Sequence, residues 1–218
     1  MPKLAIGTPV ALKPDVRDGL CFPCGASADL FVAVHPGALK APQATLTVVV
    51  ERVGNEIVWV GALDESMLDE RQAATWPAAR QALCDRITLG AHLWVIHYPG
   101  ALLKSGVQGG MVYQGKRPWL VIGELSNGVP LAVPLNSTKA LVTNKPYNIF
   151  LDKTWYVIRP SDTDMRRLPS DTNSTAELPH IWSLPTGLPD CGEVLTAHIG
   201  SAVKCLNIYY PSSNGPRA

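Results

Sequence analysis

Several features that would define a class of protein are missing from this sequence of 218 residues. No run approaches the roughly 20 apolar residues that a membrane-spanning helix requires, and the longest, such as Leu30–Val34, are far shorter. Gly7 and Pro9 interrupt the segment that would form the apolar core of a secretion signal. We therefore expect a cytoplasmic protein with no membrane partner.

Neither sign of charge dominates the chain. It has 19 Lys and Arg against 18 Asp and Glu, and 46% of its residues are hydrophobic. This balance is typical of a globular protein, and it excludes wholesale disorder, a basic nucleic-acid-binding arm and an acidic tail. The 18 Gly and 19 Pro are too many for a long helical bundle or a coiled coil.

Motifs for cofactors and metals are also missing. The sequence has no Walker or Rossmann glycine pattern. The 5 Cys are odd in number and widely scattered, which indicates reduced thiols rather than a disulfide framework. Cys21 and Cys24 form one CxxC, but a zinc site usually needs a second such pair. We predict no cofactor and no metal, and leave open whether Cys21 and Cys24 bind anything.

The charges that are present lie unevenly along the chain. Residues 1–87 have 8 basic and 10 acidic side chains, whereas residues 88–218 have 11 and 8. Between Lys104 and Arg167 there are 9 Lys and Arg against 4 acidic residues. This local excess indicates either an anionic partner, for which phosphate is the commonest chemistry, or an ordinary solvated face.

Residues 1–87 predict a small α+β domain of unknown role. Three segments are rich in β-forming residues: Leu30–His35, Thr45–Val53 and Glu56–Ala62. The last two flank Gly54-Asn55, a pair typical of a tight hairpin turn. The stretch Glu65–Arg86 favours helix, with Asp64 or Ser66 as its N-cap and Pro77 as a kink or the start of a second helix.

Residues 88–210 predict a domain built from short strands. Five segments carry the pattern: Leu93–Tyr98, Trp119–Gly123, Leu131–Leu135, Asn148–Leu151 and Trp155–Arg159. Short strands at this spacing, with few helices between them, are typical of a small barrel or a strongly bent sheet. The predicted fold class is therefore mainly β with some α, an α+β protein.

The end of the chain predicts a loop, a helix and a tail. Residues 169–190 are rich in Pro, Ser and Thr and are expected to form a surface loop. Apolar residues then recur at helical spacing, which predicts one amphipathic helix packed on the sheet: Leu195, Ile199, Ala202, Val203 and Leu206. Residues 211–218 are expected to be a flexible tail.

Four sequence blocks in the second half carry a resemblance to a known family. They are residues 90–99 (GAHLWVIHYP), 115–122 (GKRPWLVI), 133–139 (VPLNSTK) and 158–168 (IRPSDTDMRRL). In this order they resemble the MazF, PemK and Kid growth-inhibitor toxins, which share an SH3-like barrel with CcdB. The resemblance covers about residues 90–206, and residues 1–87 lie outside it. The third block is also similar to a string in ToxN-type toxin ribonucleases.

The resemblance implies an activity and partners for this half of the chain. It implies a metal-independent endoribonuclease toxin of a toxin–antitoxin system, which cuts single-stranded RNA through a 2′,3′-cyclic phosphate. It also implies an antitoxin protein as a partner and a homodimer.

Catalytic candidates follow from matching residues to the family's motifs. Arg117 matches the arginine of the Arg-Pro block, and a guanidinium offers phosphate a fixed fork of donors. Asn136 stands where the family usually has threonine or serine; it can donate to a phosphoryl oxygen but has no hydroxyl. Ser137, the next residue, is the alternative source of that hydroxyl.

Candidates for RNA binding lie beside these residues. Lys116, Thr138 and Lys139 flank the catalytic candidates and add donors or charge, although each also fits an ordinary surface position. Tyr113 lies in a Gly-rich loop, where an exposed ring can stack on a splayed base.

Two other functions stay open at this point. The first is a catalytically inactive MazF-like module that binds RNA or protein, which is favoured by Asn136 and by the additional N-terminal domain. The second is a gyrase poison, which the Pro-, Ser- and Gly-rich tail does not support.

Overall fold

The computed structural model describes residues 4–14, 16, 29–34, 46–87, 94–98, 117–137, 148–151, 174–188, 190–193 and 196–218. In this part of the chain there are 12 strands: β1 (Pro9–Leu12), β2 (Asp29–Val34), β3 (Leu46–Val53), β4 (Glu56–Asp64), β5 (Leu68–Glu70), β6 (Trp94–Tyr98), β7 (Arg117–Glu124), β8 (Pro130–Ser137), β9 (Asn148–Leu151), β10 (Ser174–Glu177), β11 (Trp182–Ser183) and β12 (Asp190–Glu193). The α-helices described are α1 (Ala79–Arg86) and α2 (Thr196–Tyr209). The mainly β, α+β class is confirmed.

The first half forms a five-stranded antiparallel sheet in the order β4-β3-β2-β1-β5. The predicted hairpin is confirmed, because Val53 pairs with Glu56 across Gly54-Asn55. Gly54 has a φ of +61°, in the left-handed region that glycine adopts without a steric penalty.

The helix predicted over Glu65–Arg86 is largely wrong. Asp64 does act as a cap, since its Oδ1 accepts a hydrogen bond from the Ser66 N–H at 2.9 Å, but it caps only a single 3₁₀ turn. The chain then forms β5, which pairs with β1. This pairing satisfies backbone N–H and C=O groups that hydrogen bonds within a helix would otherwise satisfy. A helix begins only at Ala79, shortly after Pro77, as the second alternative expected.

The second half forms an antiparallel sheet in the order β12-β6-β7-β8-β10-β9, with β11 also paired to β8. Among the described strands the order ends on β12 and β9, and no pairing between described residues joins these two strands into a closed barrel. The predicted strand Trp155–Arg159 lies outside the described residues.

The prediction of a surface loop over residues 169–190 is wrong for its described core. The segment from β10 to β11 runs along one edge of β8: Ala176 pairs with Leu135, and Trp182 pairs with Ala132. The 3₁₀ turn Leu178–His180 takes up the extra residues between these two pairings. Trp182 is fully buried, and the apolar residues Ala176, Leu178, Ile181 and Leu184 of the same stretch are buried with it. Burial of these side chains stabilises the segment against β8 although its composition is rich in Pro, Ser and Thr.

The two sheets share their core. The helix-side cluster contains residues of both sheets together with α1 and α2, among them Phe31, Val48, Leu83, Leu120, Val133 and Leu206. The tryptophan cluster also spans both, among them Val32, Trp59, Trp119, Val121, Ala132 and Trp182. The predicted division after residue 87 therefore coincides with the change of sheet, but the two halves are packed as one body.

Ser183 joins the two sheets directly. Its Oγ accepts a hydrogen bond from the Val60 N–H at 3.0 Å and donates one to the Val60 carbonyl at 3.3 Å. Val60 lies on β4, the edge strand of the first sheet. The buried Ser183 hydroxyl thus satisfies the N–H and C=O of Val60, which the edge strand would otherwise leave unpaired. Beside it, the rings of Trp59 and Trp182 meet edge to face, with their centroids 5.8 Å apart.

The predicted C-terminal helix is confirmed as α2, with Ala202, Val203 and Leu206 buried against the sheet. The residues that follow α2 do not have the contacts of a frayed end. Arg217 donates to the carbonyls of Ile87, Cys84 and Tyr210 at 2.6 to 2.7 Å. These bonds argue against the flexible tail that we predicted from composition.

Candidate functional site

The predicted site residues fall at one end of β7 and β8. Arg117 is the first residue of β7, and Asn136 and Ser137 are the last two residues of β8. Tyr113, Lys116, Thr138 and Lys139 lie outside the described residues, as do Cys21 and Cys24. The backbone therefore locates the three catalytic candidates, and the four RNA-binding candidates stay predictions.

Arg117 and Asn136 lie at the same end of the neighbouring strands β7 and β8, each two residues beyond the last pair of the β7–β8 ladder. Trp119 and Pro134 form the last pair of the antiparallel β7–β8 ladder, and two positions lie equally far beyond it: the residue two before Trp119 and the residue two after Pro134. These positions are Arg117 and Asn136. The guanidinium-bearing residue and the polar strand end, which are 19 positions apart in sequence, thus lie at the same end of two neighbouring strands.

The same row continues into the flanking strands. Tyr98 on β6 pairs with Arg117, and Thr175 on β10 pairs with Asn136. Residues directly opposite one another on antiparallel strands share a face of the sheet, with Cβ atoms about 5 Å apart. We call Tyr98, Arg117, Asn136 and Thr175 the phosphate row, after the ligand chemistry that the sequence predicts for it.

Asn136 and Ser137 belong to opposite faces of the sheet. Successive strand residues alternate between faces. Along β7 and β8 this alternation is visible in the core, since Trp119, Val121 and Ala132 belong to the tryptophan cluster, whereas their neighbours belong to the helix-side cluster: Leu120, Ile122, Leu131, Val133 and Leu135. Arg117 and Asn136 continue the first set. Ser137 continues the second, and its partner on β10 is Ser174.

Ser174 and Thr175 were not among the residues that sequence patterns single out. They lie in the stretch that composition assigned to a loop, yet both are buried on an interior strand, at 3% and 5% exposure. Thr175 brings a hydroxyl to the position opposite Asn136, the residue that lacks the expected one. Its burial suits it to hold a neighbouring side chain rather than to touch a ligand.

Two prolines weaken the sheet one and two residues inside the phosphate row. Pro118 and Pro134 lie in β7 and β8, next to and opposite Trp119, and neither has an N–H to donate to the ladder. Trp119 itself is core, at 1% exposure, as its strand position predicts. Because the proline residues remove ladder bonds, the ends of β7 and β8 are less constrained by backbone pairing than the strand centres.

His180 has a structural setting. Its Nδ1 lies 3.1 Å from Glu177 Oε2, and its side chain is 5% exposed. Burial lowers the pKa of His180 to about 4, so the ring is neutral at pH 7. Within the described ranges, no group of three or more His, Cys, Asp and Glu side chains is placed to hold a metal ion.

A cleft of about 470 Å³ lies where the chain passes from the end of β4 through the 3₁₀ turn into β5. Carboxylates line much of it: Asp64, Glu65 and Glu70, together with Leu4, Ser66 and Leu68. Their negative charge repels phosphate, so this cleft does not fit the predicted substrate.

No protein family, curated protein or solved structure matches this chain. In the part of the chain that the structure describes, no helix combines the length and the apolar character needed to cross a membrane.

Proposed function

We propose that this protein is an endoribonuclease toxin that cuts single-stranded RNA without a metal, as the resemblance to the MazF, PemK and Kid toxins implies. The observation that supports it best is the pairing of β7 with β8, which brings Arg117 and Asn136 to the same end of two neighbouring strands, each two residues beyond the Trp119–Pro134 pair. An arginine and an amide on one face and at one end of two neighbouring strands form a donor set that suits a single phosphodiester. The proposal includes the SH3-like barrel for the second half.

The proposed reaction is in-line attack of a ribose 2′-hydroxyl on its own phosphodiester. The bond from the 2′-oxygen to phosphorus forms, the bond to the 5′-oxygen breaks, and the products carry a 2′,3′-cyclic phosphate and a free 5′-hydroxyl. Arg117 holds the phosphoryl oxygens and stabilises the charge that grows on them, while the Asn136 amide donates to one of them. Neither group accepts a proton at neutral pH, so water takes the 2′ proton and supplies the 5′ proton.

Partners and location follow from the same proposal. An antitoxin neutralises the protein in the cytoplasm, and the second half contributes the surface of a homodimer. RNA is drawn to the local excess of basic residues between Lys104 and Arg167, where 9 cations face 4 acidic residues in sequence.

Arg117→Ala is expected to abolish cleavage while leaving the fold intact. Removing one donor that stabilises a transition-state charge costs about 100-fold or more in rate. The measurement is the cleavage rate of purified protein on a single-stranded RNA in excess chelator, with the termini of the products identified. Lys204→Ala serves as the control, because it removes an exposed cation from α2, away from β7. RNA that the parent leaves whole, or that Arg117→Ala cuts as fast as the parent, contradicts the proposed enzyme.

A second candidate function is favoured by one observation. Asn136 supplies no hydroxyl, and Thr175, the hydroxyl opposite it, is 5% exposed. A phosphate row that binds RNA without cutting it would give the inactive binding module. In that case the RNA stays whole, the parent binds it, and Arg117→Ala weakens the binding while Lys204→Ala does not.

A further inference from the structure

The end of the chain carries a site that the RNA chemistry does not use. The Arg217 guanidinium donates through Nε to the Ile87 carbonyl at 2.6 Å and through Nη2 to the Cys84 carbonyl at 2.7 Å. Its Nη1 donates to the Tyr210 carbonyl at 2.7 Å and to Asn207 Oδ1 at 3.2 Å. One guanidinium therefore donates to acceptors at the C-terminal ends of both helices.

Both helix ends favour a cation at this point. The last carbonyls of an α-helix have no partner within the helix, and the C-terminal end carries a partial negative charge. Cys84 and Ile87 lie at the end of α1, and Asn207 and Tyr210 lie at the end of α2. The acceptors point inward from several directions, which matches the planar fork of arginine and not the single nitrogen of lysine.

The backbone of the tail is recognised as well. The Arg217 N–H donates to Asn207 Oδ1, and Asn207 Nδ2 donates to the Arg217 carbonyl, both at 3.0 Å. The Asp85 carboxylate accepts from the Ser213 N–H and the Ser213 hydroxyl, each at 2.8 Å, and from the Ser212 hydroxyl at 3.3 Å. Asp85, Asn207 and the helix-end carbonyls thus bind a segment that turns at Ser213 and Asn214, with contacts at both of its ends. We call this the arginine cleft.

The segment that fills the arginine cleft buries little surface. Pro211 and residues 213–216 are exposed, and Ser212 and Arg217 are half-buried. The hydrogen bonds that hold it are exposed or part-buried. Segments held in this way open at a lower free energy than the core on which they lie.

We propose that the arginine cleft is a peptide-binding site specific for arginine, occupied in this structure by the chain's own residues 212–217, and that a Ser-Ser-Asn-Gly-Pro-Arg segment binds it in trans once the tail is removed. The ligand class is a short peptide that turns at its centre, with serine at its start and arginine at its end. The site stands apart from the proposed RNA chemistry, since it rests on α1, α2 and the tail alone.

The test uses a chain that ends at Pro211 and a labelled peptide, acetylated and amidated, of sequence Ser-Ser-Asn-Gly-Pro-Arg-Ala. We expect saturable binding to the shortened chain, with a rise in its thermal midpoint, and at least about tenfold weaker binding to the full chain, whose cleft is filled. A peptide with lysine or citrulline in place of arginine is expected to bind at least about tenfold more weakly.

A second variant covers the case in which the shortened chain does not fold. The full-length Arg217→Ala protein keeps the length of the chain but leaves the cleft without its guanidinium, and the arginine peptide is expected to raise its thermal midpoint where the lysine peptide does not. Two results overturn the proposal. One is equal binding of the arginine and lysine peptides, and the other is that neither peptide binds either variant.

Discussion

Residues 88–218 expressed without residues 1–87 are expected to lose cooperative unfolding. Both core clusters cross the boundary, so the shortened chain exposes the apolar residues that the first sheet and α1 cover: Leu120, Val133 and Leu206 of the helix-side cluster, and Trp119, Ala132 and Trp182 of the tryptophan cluster. Exposing a large buried side chain costs about 2 kcal/mol, and a domain is stable by only about 5 to 15 kcal/mol. Urea unfolding followed by tryptophan fluorescence measures the effect.

The full-length chain is the reference for this experiment, and residues 1–87 added in trans are the matched control. The added fragment is expected to restore part of the cooperative transition, because it brings back Val60 for the Ser183 hydroxyl and Trp59 for the Trp182 ring. A fragment 88–218 that unfolds in one transition near the midpoint of the full chain means that the two halves are independent domains.

Asn136→Ala is expected to reduce RNA cleavage about 100-fold or more, whereas Ser137→Ala changes it by less than about threefold. The two residues are adjacent, but the strand alternation assigns Asn136 to the face of Arg117 and Ser137 to the opposite face. Cleavage rates of the two variants on one RNA, with thermal midpoints as a check on folding, measure the difference. A larger loss for Ser137→Ala contradicts the register argument and returns the hydroxyl to the role that the family pattern gives it.

Local patterns allowed part of the fold to be predicted. The hairpin of β3 and β4 needs only a Gly-Asn pair between two β-rich runs, and both are visible within 20 residues of sequence. The helix α2 likewise carries its own apolar spacing. Elements of this kind are determined by residues that are close in sequence, so they can be predicted without the tertiary structure.

Long-range pairing explains the failures. Leu68–Glu70 forms a strand because β1, more than 50 residues earlier, offers a free edge. The segment from Ser174 to Ser183 forms strands because β8 offers one, although its composition is that of a loop. Arg217 is held by Cys84, 133 residues away, which no count of Pro, Ser and Gly in the tail could reveal.

The candidate site divides in the same way. Arg117 and Asn136 came from short motifs at strand ends, and the register of two sequential strands brings those ends together. Thr175 was missed, because its position opposite Asn136 depends on a pairing across about 40 residues of chain. Sequence motifs thus identified the residues at the open end of β7 and β8, and only the sheet order added the neighbour from β10.

The claim on which the function rests is that Arg117 and Asn136 act on one phosphate. A double-mutant cycle on RNA cleavage, with Arg117→Ala, Asn136→Ala and the double variant measured in chelator, tests it most directly. Groups that serve the same phosphate lose their effects together, so the double variant is expected to be no more than about threefold slower than the slower single variant. Losses that multiply in the double variant would mean that the two residues act independently, and would contradict the account.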